Sequence, residues 1–335
     1  MPVTLREVAE LAGVSRSAVS RAFTKGASVS PATRQKVEQA AQLLGYRPNA
    51  IASSLTTGRT KMIGLVADNF HNPMFLEVFD LFTRGLQDRD LRPLLVNLTG
   101  ETDPAHSVAM LQQYSVDGVI VASSTLLPDF ALAFRTAGIP VVHAFARAQA
   151  ETEIDIVGID NSLCGRIAAL SLIARGYDRI GFMGGPASAT STRDRLTGFY
   201  QVARETPGVT ASHSFSQAYS FEAGRAEMTQ LLQGDYAQAY FCGDDVLSIG
   251  ALSAIASAGL SVPDDIGIIG LNDMEMAQWE NIALTTIHQP IEQIATAAMD
   301  RVEMLLAEPG TPPVAQVFEC HIVERSTLRP LPGKA

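Results

Sequence analysis

From Met62 onward the chain alternates short apolar runs with amphipathic segments, and this alternation constrains the fold more than any other feature. Runs of strand length occupy 62–67 (MIGLVA), 92–98, 118–122, 140–144, 155–159, 179–184, 239–242, 266–271 and 284–289. Helical patterns fill most of the gaps, at Pro73–Arg89, Ala105–Tyr114, Asn161–Arg175, Arg193–Arg204, Phe221–Gln233, Asp245–Ala258 and Pro290–Leu306. Strand–helix alternation predicts parallel, doubly wound sheets with helices on both faces. Such sheets bind ligands at the carboxyl ends of their strands. Two α/β halves of this kind would leave a cleft between them.

The first sixty residues follow a different pattern. Thr4-Leu-Arg-Glu7 fits a capping box. Val8, Ala9, Leu11 and Ala12 give that first helix an apolar face, and Gly13 ends it. Ser15 is a natural N-cap for a second helix, in which Ala18, Val19 and Ala22 share one side and Arg16, Ser17, Ser20 and Arg21 lie on or near the other. Ser30-Pro31 opens a third helix, with Val37, Ala40, Ala41 and Leu44 as its core stripe and Gly45 at its end. This is a helix-turn-helix pattern, in which the second helix enters the major groove of DNA. Arg16 and Arg21 suit guanine O6/N7, a contact that discriminates by about 1–3 kcal/mol. The serines and other basic residues suit phosphate. From this pattern alone, the segment also reads as a generic three-helix bundle with solvated arginines.

Charge separates the two regions. Residues 1–60 carry eight lysines and arginines against three acidic residues, a balance of +5, so the remainder holds −15 of an overall −10. A basic head on an acidic body confines attraction for phosphate to the head. At 47% hydrophobic and 18% charged residues the chain is globular in composition. No apolar run is long enough to span a bilayer, and MPVTLREVAE has no secretory n- and h-regions, so a cytoplasmic protein with no membrane partner is expected. Cys164, Cys242 and Cys320 are far apart in sequence and form no CxxC or Cys/His cluster, which predicts free thiols and no metal site.

Motifs of catalysis are missing. There is no Gx4GK[ST] loop, no strand-following GxGxxG, no GxSxG and no HExxH. Gly181-Phe-Met-Gly184-Gly185-Pro186 ends a strand without the dinucleotide fingerprint, and the six histidines are scattered. The pair Asp244-Asp245 is the nearest approach to acid–base chemistry, but adjacent residues at a strand end point different ways, so ligand contact plus a helix cap accounts for them. No catalytic residue and no cofactor is expected.

The head closely resembles the LacI/GalR (lactose/galactose repressor) family of transcriptional regulators, whose pattern runs T-x-x-D/E-V-A-x-x-A-G-V-S-x-x-T-V-S-R, then V-S-x-x-T-R-x-K/R-V and Y-x-P-N. Thr4, Glu7, Val8, Ala9, Ala12, Gly13, Val14, Ser15, Val19, Ser20 and Arg21 match, as do Val29, Ser30, Thr33, Arg34, Val37, Tyr46, Pro48 and Asn49; Ala18 replaces the usual Thr. The body continues the likeness over about residues 3–328, in IGLVADNFHNPMF, VGIDN, GYDRIGFMGGP, TRDRLTGF, GDDVLSIGAL, GLND and LTTIHQP. The resemblance implies an all-α helix-turn-helix head at 1–47 and a hinge helix or linker at 48–60. The body, at 61–328, is then α/β and type I periplasmic-binding-protein-like, with two doubly wound parallel-sheet subdomains: one about 61–160 plus 290–325, the other about 161–289. The chain crosses between them three times, and 329–335 form a tail.

Site residues follow from the same resemblance. Thr4, Ser15, Arg16, Ser17, Ser20, Arg21 and Asn49 are expected to contact DNA, with Arg16 and Ser17 at the positions that select the operator sequence. Leu55 matches the hinge leucine that enters the minor groove, although Ala52-Ser53-Ser54-Leu55 departs from the family's A-R-x-L. In the cleft, Arg195 matches an arginine that forks onto a sugar hydroxyl or carboxylate. Asp244 and Asn272 stand where sugar-binding relatives have Asn and Asp, the two groups in effect exchanged. Phe75, Phe145 and Tyr219 match pocket aromatics, and Asp68 follows the first strand as a further candidate. The expectation is a homodimeric, sequence-specific regulator, a repressor, on a pseudo-palindromic operator, with affinity set by a small cleft-bound molecule, a sugar or sugar derivative. A purine-type corepressor-dependent regulator or activator, and a stand-alone solute-binding protein, are the alternatives. The absence of heptad leucines after Glu324 argues against a tetramerising coiled coil.

Overall fold

The computed structural model describes residues 3–24, 26–49, 54, 58–98, 103–148 and 151–333, and the chain divides into two compact units, 1–61 and 62–335. In the first unit α1 (Leu5–Ala12), α2 (Arg16–Phe23) and α3 (Pro31–Leu44) each begin at a side-chain cap, from Thr4, Ser15 and Ser30. Gly13 and Gly45 end α1 and α3 at φ +64° and +66°, a left-handed conformation that favours glycine. Val8, Ala9, Val19, Ala22, Val37, Ala40 and Ala41 form the core, with Val3, Leu5, Val14, Leu44 and Tyr46 packed around it. Arg34 donates through Nη1 to the Ala22 carbonyl, which ties α3 to the end of α2.

The second unit opens with β1 (Met62–Ala67), α4 (Met74–Asp88), β2 (Arg92–Asn97), α5 (Pro104–Gln113), β3 (Gly118–Ala122), α6 (Pro128–Thr136), β4 (Val141–Ala144) and β5 (Asp155–Ile159). It then crosses to α7 (Asn161–Ala174), β6 (Arg179–Gly184), α8 (Thr190–Glu205), β7 (Thr210–Phe215), α9 (Phe221–Leu231), β8 (Ala239–Cys242), α10 (Asp245–Ser257), β9 (Gly267–Asn272) and β10 (Thr286–His288). It returns through α11 (Ile291–Ala307) and β11 (Ala315–Phe318), and crosses once more to β12 (His321–Val323). The first sheet runs β11-β5-β4-β3-β1-β2, all parallel. The second runs β12-β10-β9-β8-β6-β7, parallel except that β12 pairs antiparallel with β10.

Residues 321–323 therefore belong to the second sheet, not to the first as the span 290–325 expected. Arg329 is likewise attached rather than in a free tail: its N–H donates to the Tyr177 hydroxyl at 3.1 Å and its guanidinium lies 4.5 Å from the Tyr177 ring centre. The central strands β3, β4, β5, β8 and β9 are buried throughout, as a sheet covered on both faces requires. Phe82, Leu86, Ile294 and Val302 cover one face of the first sheet, and Leu111, Phe130 and Phe134 the other. Leu172, Phe199 and Val202 cover one face of the second, and Met228, Leu247 and Ile255 the other. Each such side chain contributes about 1.5–3 kcal/mol on burial. Among the described residues no helix is long and apolar enough to cross a membrane.

Candidate functional site

Parallel pairing brings the carboxyl ends of both sheets toward each other, and the polar residues just beyond those ends converge. Asn69, Asn72, Met74 and Phe75 follow β1, Phe145 follows β4, and Asn161 follows β5; Asp244 follows β8, Asn272 ends β9 and Gln289 follows β10. With Ser124, Ile159, Arg195 and Tyr219 they enclose a cavity of about 10 Å³. Six of the residues singled out in the sequence (Phe75, Phe145, Arg195, Tyr219, Asp244 and Asn272) line it together. Asp68 does not. The loop after β1 turns its carboxylate to the Thr125 hydroxyl, leaving Oδ1 buried without a hydrogen-bond partner.

Asp244 organises the cavity. Its Oδ2 accepts from Asn72 Nδ2 at 2.8 Å and from Asn272 Nδ2 at 2.9 Å, while Oδ1 caps α10 by accepting from Val246 N–H at 2.8 Å. The Asn72 bond joins the first subdomain to the second, and Asn72 Oδ1 also takes the N–H of Met74 at 3.1 Å at the start of α4. Burial pushes the Asp244 carboxyl up to about 6, against the opposing pull of the Val246 N–H, Arg195 and the two amides. Asp245 points away from the cavity, to the Thr286 hydroxyl at 2.5 Å and the Met274 N–H at 2.9 Å, and burial pushes it up to about 7. Neighbouring carboxylates thus serve separate elements.

Arg195 is only 4% exposed. Its Nε donates to Asn161 Oδ1 at 2.8 Å and Nη1 to the Gly243 carbonyl at 2.5 Å. Close packing of α7 on α8 sets this position. A Cβ at Gly165 would lie 2.0 Å from the Arg195 carbonyl, and one at Gly198 would lie 1.9 Å from the Ser162 carbonyl. The Tyr219 hydroxyl is held by Thr192 at 2.6 Å and Ser191 at 3.4 Å. Phe145 and Asn272 sit at φ +66° and +126°, strained backbone of a kind that concentrates at binding sites.

Asn72, Asn161 and Gln289 were not singled out in the sequence. Each follows a strand, and each falls inside a stretch that resembles the family, Asn72 in IGLVADNFHNPMF, Asn161 in VGIDN and Gln289 in LTTIHQP. A second cavity of about 350 Å³ adjoins the first at Ile159 and Asn161, where Arg147 forks onto Asp194 across the cleft, Nε to Oδ2 at 2.7 Å and Nη2 to Oδ1.

On the head, Ser15, Arg16, Ser17, Ser20, Arg21 and Asn49 are exposed. Ser15 Oγ accepts from Ala18 N–H at 3.2 Å and shares a hydrogen bond with Ser17 Oγ at 2.9 Å, and Arg21 Nε donates to the Ser17 carbonyl at 3.3 Å. The Thr4 hydroxyl is engaged with Glu7 Oε2 at 2.8 Å. In the linker Gly58 N–H donates to the Ser54 carbonyl at 2.8 Å; Leu55 lies outside the described residues.

Residues 4–49 match the bacterial regulatory proteins of the lacI family, and 169–328 match a periplasmic binding protein-like domain. The HTH-type transcriptional repressor PurR of Proteus mirabilis (strain HI4320) is 35% identical over 97% of this chain and 96% of its own length. The ribose operon repressor of Escherichia coli (strain K12) is 32% identical, covering 91% and 94%. The lac repressor dimer bound to operator and the anti-inducer ONPF superposes with a TM-score of 0.86 at 26% identity, covering 98% of this chain and 99% of that one. Likeness of that extent to PurR, with the head and body matches in the same order, shows that this chain belongs to the lacI family of bacterial regulatory proteins and is a DNA-binding transcriptional repressor controlled by an effector.

Proposed function

We propose that the effector is a sugar or sugar derivative, held between the subdomains by Arg195, Asp244, Asn272, Asn161 and Gln289 with Phe75, Phe145 and Tyr219 against its faces. The observation that carries this reading is the convergence of polar donors and acceptors from both subdomains on one small cavity. About 10 Å³ is room for roughly one water. A sugar-sized molecule therefore has to part Asn72 from Asp244, and so couples occupancy to subdomain geometry. Arg16, Ser17 and Arg21 read the operator, Leu55 enters the minor groove, and a homodimer working in the cytoplasm meets a pseudo-palindromic site. The ribose operon repressor among the relatives supports a sugar.

The aromatic lining favours a second reading, a nucleobase acting as corepressor. A thermal-shift screen of sugars, sugar acids, polyols and nucleobases on the full chain separates the two, because only a bound ligand stabilises the folded state. The hit should stabilise the parent and fail to stabilise Arg195→Ala; equal shifts in both would move the site elsewhere. A gel shift with that compound then distinguishes inducer from corepressor by the sign of its effect on DNA affinity.

A further inference from the structure

The first turns of α8 reach across the cleft. Thr190 and Asp194 stand one helical turn apart, and both bond to the first subdomain. Thr190 Oγ1 donates to the Ser124 carbonyl at 3.3 Å, and Asp194 receives Arg147, which follows β4. Asn72 to Asp244 is a further bond between the subdomains, inside the cavity. Arg195, next to Asp194, turns instead to Asn161 and the Gly243 carbonyl. One helix thus carries both a wall of the cavity and a tie across it.

The Arg147–Asp194 pair differs in kind from the other two bonds. It uses two nitrogens on two carboxylate oxygens, Nε to Oδ2 at 2.7 Å and Nη2 to Oδ1. A fork fixes angle as well as distance. It does not survive rotation of one subdomain against the other, whereas the single Thr190 hydroxyl bond has more latitude. The pair is partly open to water, with 39% of the Arg147 side chain and 21% of the Asp194 side chain exposed, and it borders the cavity of about 350 Å³. A pair so placed adds little to fold stability. Its small energy is enough to bias an equilibrium between two arrangements of the subdomains.

We propose that Arg147 and Asp194 are a clasp that favours the arrangement excluding the effector. In the arrangement they join, the cavity around Asp244 has room for about one water, so a larger molecule binds only after the fork has parted. The clasp therefore lowers effector affinity by the fraction of chains it holds shut. By reciprocity it also sets the DNA affinity of the chain before effector arrives. The inference rests on the cleft as the effector site, and not on the effector being a sugar.

The test is a charge swap in the full chain: Arg147→Asp, Asp194→Arg and the two together. Hydrogen exchange read by mass spectrometry follows segments 72–78 and 244–250, which contain neither site and carry the Met74 and Val246 N–H groups bonded to Asn72 and Asp244. Each single variant should raise exchange in both segments by about threefold or more, and the double swap should return it toward the parent. DNA affinity is then read on an operator that the parent selects from a random pool. The single variants should shift it in the same direction, and the double swap should restore it. Charge alone would move affinity in opposite directions, because Arg147→Asp makes the body more acidic and Asp194→Arg less so. Shifts that follow net charge, a double swap as perturbed as the single variants, or unchanged exchange in 72–78 and 244–250 would each overturn the clasp. Should a reversed variant fail to fold, Arg147→Gln and Asp194→Asn open the fork without placing like charges together. Their effects on exchange should not add, since either alone removes the pair; additive effects would overturn it equally. Ligand-induced thermal shifts that persist in Arg195→Ala would place the effector elsewhere and leave the exchange result as it stands.

Discussion

Asn272 Nδ2 donates to Asp244 Oδ2 at 2.9 Å, so the amide that ends β9 and the carboxylate that caps α10 are bonded to each other. The same Asp244 oxygen receives Asn72 from the opposite subdomain, so this carboxylate sits where the cleft closes.

That placement makes the cleft pH-sensitive. Burial raises Asp244 from 3.8 to about 6 in the folded chain. A carboxyl with a raised folded pKa contributes stability that is complete below the unfolded value and is lost as pH rises through the folded one. Asp244→Asn removes this loss. Denaturant unfolding at pH 4 and pH 7 should show the variant gaining on the parent by up to about 3 kcal/mol at the higher pH; a pH-independent difference would contradict the assignment.

His143 acts in the opposite direction. It is fully buried in β4, with Nε2 donating to the Ser123 carbonyl at 3.1 Å and Nδ1 unpartnered, and burial lowers it from 6.5 to about 4. Its contribution is present above pH 6.5 and lost as pH falls toward 4, because the unfolded chain takes up the proton first. His143→Gln keeps a donor for Ser123 and should flatten about 3 kcal/mol of this fall. Between pH 4 and 6 the two terms partly cancel, so stability profiles of the two variants should diverge more than either does from the parent.

Gly198→Ala should cost about 3 kcal/mol or more, because its Cβ meets backbone that cannot rotate away. Separating α7 from α8 also moves Arg195 off Asn161. Denaturant unfolding should therefore show reduced stability, and ligand-induced thermal shifts should shrink by more than the loss of folded protein explains.

Arg16→Ala should leave the body's unfolding unchanged and relax operator preference by about 1–3 kcal/mol at one base pair per half-site. A panel of operator variants in gel shifts reads this out. A uniform loss across all sequences would instead place Arg16 on phosphate.

The sequence was most legible where burial was complete. The runs at β1, β3, β5, β6, β8 and β9 are almost wholly apolar and announce themselves. Four elements escaped notice. β7, TASHSF, is an edge strand with a mostly polar surface, so its composition resembles a loop. β11 and β12 are short edge strands, and α6 is a helix of only 9 residues between two strands. The cavity was half legible. Arg195, Asp244 and Asn272 sat inside recognisable motifs; Asn72 and Gln289 lie inside such motifs too, but as neutral amides whose convergence exists only after parallel pairing. Asp68 shares their position after a strand and still turned elsewhere, because the path of its loop, not its place in the sequence, decides where the carboxylate goes.

The order of the strands has a consequence for biosynthesis. β11 forms one edge of the first sheet and β12 one edge of the second, and both come from residues 315–323. A nascent chain therefore presents two sheets, each lacking its border strand, until that segment leaves the ribosome. The exposed edges of β5 and β10 are then open to pairing with another chain. Completion of both subdomains in a single late step makes this stretch the point at which growing chains either fold or fall to chaperones, and a premature stop before residue 315 should yield aggregate rather than a half-active body.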